Sequence, residues 1–95
     1  MDRCELWKAI TADLVRARAT LPEGAASHQA VCLYQDFIEN NELGLACDML
    51  EQYAEECPAN SDFWLALRDA AMKMQLPDRV SRYEAFAIKS NIPSS

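Results

Sequence analysis

Two glycines, one histidine and no apolar run of membrane-spanning length leave several classes of function without their raw material. Gly24 and Gly44 cannot supply the glycine-rich turns that cradle a dinucleotide or a nucleotide phosphate. A lone His28 excludes paired-histidine zinc motifs and any tri-histidine site. No D-x-D-x-D-G loop is present for calcium. Positive charge is scarce as well: nine Lys and Arg stand against fifteen Asp and Glu, a net charge of −6. That balance opposes binding to nucleic acid or to an anionic membrane, both of which need a cationic surface. The opening Met1-Asp2-Arg3-Cys4-Glu5-Leu6-Trp7-Lys8 carries charges throughout, with no apolar stretch of a secretory signal, so a cytoplasmic location is expected.

What is present is an ordinary globular composition, 51% apolar and 25% charged, over 95 residues. It suits one domain spanning residues 1–95, with 91–95 expected to fray. Apolar spacing is helical nearly everywhere, so the expected fold is all-α, a small antiparallel bundle of about five helices. The first helix should run from about Asp2 to Thr20 with Leu6, Trp7, Ile10, Leu14 and Ala17 inward. Leu21-Pro22-Glu23-Gly24 breaks it, and Ser27 is the expected cap of a second helix burying Val31, Tyr34, Phe37 and Ile38. Asn40-Asn41 predicts a tight corner, because asparagine tolerates the left-handed conformation that ends helices, and Asn41 is a candidate cap for the third helix. That helix, about Glu42 to Cys57, should bury Leu43, Ala46, Cys47, Leu50, Tyr53 and Ala54 before Pro58 stops it. Asn60 or Ser61 then caps a fourth with Phe63, Trp64, Leu67, Ala70, Ala71 and Met74 inward. After a break at Pro77, Asp78 opens a shorter fifth with Val80, Tyr83, Phe86 and Ala87. Pro58, Trp64 and Leu67 echo the spacing of a tetratricopeptide unit. Tyr34 and Arg68, however, fill the close-packing positions of such a unit, and two units are too few for a solenoid.

Cys4, Cys32, Cys47 and Cys57 show no C-x-x-C spacing and are expected to be reduced thiols serving as small apolar residues. His28 and Cys32, at i and i+4, are close enough for an imidazole to reach a thiol. Nothing supplies a third group to orient that imidazole, so no catalytic centre, metal site or cofactor is expected.

Charge is segregated along the chain. From Ala19 to Leu67 there are nine acids and no Lys or Arg, while the rest of the chain carries all nine bases against six acids. In the flanking helices Glu5 has Lys8, Asp13 has Arg16 and Asp69 has Lys73 at pairing distance; the central acids have no such neighbour. Asp36 and Glu39 share one face of the second helix, Asp48, Glu51 and Glu55 one face of the third, and Glu42 sits at the corner. Together they predict one continuous anionic surface, suited to a basic protein partner. Tyr53, near its edge, and Trp64 are the candidate aromatic anchors.

The stretch from Phe37 to Glu51 resembles small bacterial immunity proteins of the MafI-type and contact-dependent growth inhibition families. The resemblance rests on Asn40-Asn41, Glu42, Leu43, Leu45-Ala46, Asp48 and Leu50. It implies a non-enzymatic antidote that binds the C-terminal domain of a toxin, often a nuclease with a cationic groove, and occludes its active site. The alternative is a helical-hairpin adaptor or chaperone that grips a peptide or partner protein.

Overall fold

A computed structural model describes residues 3–57 and 59–91 and consists of five α-helices with one 3-10 turn. They are α1 Arg3–Ala19, α2 Gln29–Glu39, α3 Leu43–Glu56, α4 Ser61–Lys73 and α5 Pro77–Asn91, with the 3-10 turn at Glu23–Ser27. The expected stop at Pro58 and the expected fray of 92–95 lie outside the described residues, while Asn91, also expected to fray, is the last residue of α5.

Two corners fold the chain back on itself by the same device. After α2, Asn41 adopts φ 59°, its N–H reaches Ile38 O, and Glu42 N–H reaches Phe37 O at 2.8 Å. After α4, Gln75 adopts φ 60°, its N–H reaches Met72 O, and Leu76 N–H reaches Ala71 O at 3.0 Å. Both are Schellman closures, in which a left-handed residue lets two orphan carbonyls be satisfied. Asn41 therefore ends α2 rather than capping α3, whose cap position is held by Glu42 without a side-chain bond. Pro77 is the first residue of α5, where a missing N–H costs nothing, and α5 is 15 residues long, not shorter than its neighbours. Asn60 caps α4 as expected, with Oδ1 accepting from Phe63 N–H at 2.9 Å. At α2 the cap is His28 rather than Ser27, its Nδ1 accepting from Ala30 N–H.

The core draws on all five helices: Ile10, Leu14 and Ala17; Tyr34; Leu43, Ala46, Cys47 and Leu50; Phe63, Trp64, Leu67, Ala70 and Ala71; Tyr83 and Ala87. Burying a leucine such as Leu14, Leu50 or Leu67 contributes about 2 kcal/mol of transfer free energy. α2 packs on α3, α5 on α4, and α1 lies against α4 while touching α3. Asp13 meeting Lys73 and Arg16 meeting Asp69 make α1 and α4 antiparallel. A smaller apolar cluster of Ala25, Ala30, Val31 and Tyr53 fastens the 3-10 turn to the α2–α3 hairpin.

Two aromatic expectations are overturned. Trp7 is 44% exposed, whereas Trp64 is buried between Phe86, stacked at 4.6 Å, and Tyr83. Phe86, expected inside, is the partly exposed lid over Trp64. No described helix is long and apolar enough to cross a membrane.

Candidate functional site

The acids of the middle segment divide into two groups according to what stands opposite them. On α3, Asp48 and Glu51 face α5. Arg79 Nη1 lies 2.6 Å from Asp48 Oδ1, and Arg82 Nη2 lies 2.5 Å from Glu51 Oε1. The Arg79 contact is a charge pairing whose N–H is not aimed at the carboxylate. Glu51 also accepts from the Tyr83 hydroxyl at 3.1 Å. That phenol has one proton, given to Glu51, so the Cys47 thiol 3.4 Å away donates to the phenol oxygen. Burial, then the neighbouring Cys47 and Glu51, push the Tyr83 hydroxyl well above its usual range, and burial pushes the Cys47 thiol up; Arg79 opposes both. Cys47 is thus an inert packing thiol.

The second group comprises Asp36 and Glu39 on α2 and Glu42 at the corner. All three are exposed, and none has a cationic partner within 4 Å among the described residues. Asp36 lines a hollow with Arg18 of α1, Ala26 of the 3-10 turn, and Val31, Cys32 and Gln35 of α2. It therefore looks toward α1, while Asp48 and Glu51 look toward α5. The continuous anionic surface expected from sequence is thus broken: Asp48 and Glu51 of α3 are neutralised by α5, and α2's share lies on another side. Glu55 is exposed with no cationic partner within 4 Å among the described residues, and Glu56 bonds His28 Nε2 at 2.9 Å.

The expected aromatic anchors do not flank these acids. Tyr53 is 4% and Trp64 5% exposed, and Tyr53 packs edge-on to His28 with ring centroids 5.0 Å apart. The most exposed aromatic among the described residues is instead Trp7. With Cys4, Lys8, Thr11, Ala12 and Val15 of α1 and Asn41 of the corner, it lines a hollow of about 560 Å³. Sequence spacing missed it because Trp7, Ile10 and Leu14 satisfy the same i, i+3, i+7 pattern. In addition, apolar residues surround much of α1, so its buried stripe is poorly marked.

His28 and Cys32 do not form a dyad. Nδ1 of His28 accepts the α2 cap bond and Nε2 donates to Glu56, while the Cys32 thiol points to Ala26 O at 3.5 Å. Cys4 and Cys32 are exposed, and Cys57 is half-buried at the end of α3. Only Cys47 serves as a core residue, and all four thiols are free. No group of three or more His, Cys, Asp and Glu is placed to hold a metal among the described residues.

The seam between α1 and α4 is ionic and internally satisfied. Lys73 and Arg16 both reach Asp13, which is buried, and Arg16 and Arg68 both reach Asp69. The expected Asp69–Lys73 pair is replaced by these cross-helix contacts, because antiparallel packing puts Lys73 over Asp13. Partial burial raises the Asp69 carboxyl, but hydrogen bonds and charge from Arg68 and Arg16 outweigh it and hold the group below its usual range. Across α2, burial pushes the Tyr34 hydroxyl up to about 12 against the opposing charge of Arg18.

Comparison with known proteins adds no relative: no family model, no curated protein and no solved structure matches the chain.

Proposed function

We propose that this protein is a non-enzymatic inhibitor of the antidote kind, acting in the cytoplasm by docking on a basic toxin domain and covering its active site. The observation that carries the reading is the set Asp36, Glu39 and Glu42: exposed carboxylates with no cation within 4 Å among the described residues, in a fold that pairs Asp13, Asp48, Glu51 and Asp69. Self-repulsion among such groups is relieved when a partner brings positive charge, and complementary potentials speed association. The likeness of residues 37–51 to bacterial immunity proteins points the same way. Asp48 and Glu51, engaged by α5, are not part of the docking set, and neither are the buried Tyr53 and Trp64.

The test is co-expression with the protein encoded by the reading frame immediately upstream, reading growth and complex formation. Changing Asp36, Glu39 and Glu42 together to Lys should slow association at low salt by roughly tenfold or more and flatten its salt dependence. Unchanged rescue and binding by that variant would overturn the assignment. The adaptor reading is favoured by one observation, the exposed Trp7 beside an apolar hollow. It predicts binding that salt does not alter.

A further inference from the structure

α1 rests on α4 and touches α3, whereas α2 packs closely on α3, so α1 and α2 are not closely packed on each other. The larger hollow runs along α1 to Asn41 at the α2–α3 corner, and the second opens between α1 and α2. On α1, Cys4, Trp7, Thr11, Val15 and Arg18 succeed one another every three or four residues, which is one continuous face of a helix. The first four line the larger hollow, and Arg18 lines the second, of about 350 Å³. On α2, Cys32, Gln35 and Asp36 line the second hollow. Glu39 stands at i+7 from Cys32 and i+3 from Asp36, so it shares that face. Asn41 closes the far end of the larger hollow, with Glu42 next in the chain.

The walls of this trough differ in charge. The α2 wall carries Asp36 and Glu39 and leads to Glu42, with no cation within 4 Å of any of them among the described residues. The α1 wall carries Lys8 and Arg18, and between the walls Trp7 and Val15 leave apolar surface open, 44% and 49% exposed. We propose that the trough receives an amphipathic helix of a partner protein, about 14 residues long to match the roughly 21 Å from Cys4 to Arg18. Its apolar edge covers Trp7 and Val15. A flank of Lys and Arg lies against Asp36, Glu39 and Glu42, and a flank of Asp and Glu lies against Lys8 and Arg18. A uniformly basic helix satisfies one wall and is repelled by the other. A uniformly acidic one meets the reverse, with three carboxylates against it. This inference rests on the binding role proposed above and names the element of the partner that is bound.

The full chain is titrated with three synthetic helices sharing a leucine stripe: one with a Lys flank and a Glu flank, one with Lys on both, and one with Glu on both. Tryptophan emission and calorimetry are read for each. The mixed peptide should bind at least roughly tenfold more tightly than the Glu–Glu peptide, and more tightly than the Lys–Lys peptide. It should move the emission to the blue as Trp7 leaves water. Trp7→Ala should abolish the emission change and weaken binding at least roughly tenfold, with the near-ultraviolet dichroism of buried Trp64 certifying that the variant is folded. Four results would overturn the proposal: no binding by any peptide, equal binding by all three, unchanged affinity in Trp7→Ala, or sedimentation showing the trough filled by a second copy of this chain. Growth rescue separates the two readings. If Trp7→Ala still rescues, the trough is not the docking site though the antidote role stands. If the peptides bind in the expected order but no rescue occurs, the antidote role falls and the trough remains a helix receptor.

Discussion

α2 and α3 each carry a pair of acids at i and i+3, Asp36 with Glu39 and Asp48 with Glu51, yet the helices opposite them give those pairs different work. Asp48 and Glu51 meet Arg79 and Arg82 of α5 and so fasten two helices whose backbones are not closely packed. Asp36 and Glu39 meet no such helix, because α1, their neighbour across the trough, stands off. A carboxylate's role is thus set by the element facing it, not by its own helix. An ion pair sharing a shielded hydroxyl stabilises the fold, while a solvated carboxylate stabilises little until a partner arrives.

Removing one carboxylate from each helix separates the two cases most sharply. Glu51→Ala leaves the Tyr83 hydroxyl without its acceptor and Arg82 without its partner, and should lower unfolding free energy by about 2 kcal/mol. Glu39→Ala should leave the urea midpoint unchanged. Within the α3–α5 contact, Tyr83→Phe keeps the ring and deletes only the hydroxyl, so a loss of about 1 kcal/mol is expected. Combined with Glu51→Ala in a denaturation cycle, it should cost less than the sum, since both changes break one bond.

The two corners offer a second comparison. Gln75→Gly should raise stability by about 1 kcal/mol, because a long side chain at positive φ is strained and glycine is not. Asn41→Gly should gain only a few tenths of a kcal/mol, since asparagine already tolerates that region. Both are read from thermal and urea midpoints.

The smallest effect concerns acid. Asp69 is held below its usual range when folded, so its contribution is complete above the ordinary carboxylate pKa of about 3.9 and is lost as pH falls through the lower folded value. Asp69→Asn should flatten the acid limb of the stability profile, measured by urea titration at a series of pH values, and leave the α2 acids unaffected.

Much of this fold was legible because the apolar period in α3 and α4 is strong: Leu43, Ala46, Cys47, Leu50 and Tyr53 are buried as their spacing requires, as are Phe63, Trp64 and Leu67. Asn40-Asn41 disclosed its corner through asparagine's tolerance of positive φ. Gln75 gave no such sign, because glutamine has no preference for that region, and His28 lies outside the usual cap residues. The candidate site was harder to read. Helical periodicity says which face of a helix an acid occupies but not which helix stands opposite, so Asp48 and Asp36 looked alike. Distances of 31 residues in sequence separate Asp48 from Arg79 and Glu51 from Arg82, and only packing brings them together. Trp7, expected inward like Trp64, is exposed for a related reason: each has apolar neighbours at helical spacing, but Trp64 is covered by Phe86 and Tyr83 of another helix.

Carbodiimide labelling of the folded protein, read carboxylate by carboxylate by mass spectrometry, compares the two groups of acids without any partner. Asp36, Glu39 and Glu42 should react rapidly, Asp48 and Glu51 slowly, and the difference should vanish in denaturant. Equal rates for Glu51 and Glu39 in the folded state would contradict the account.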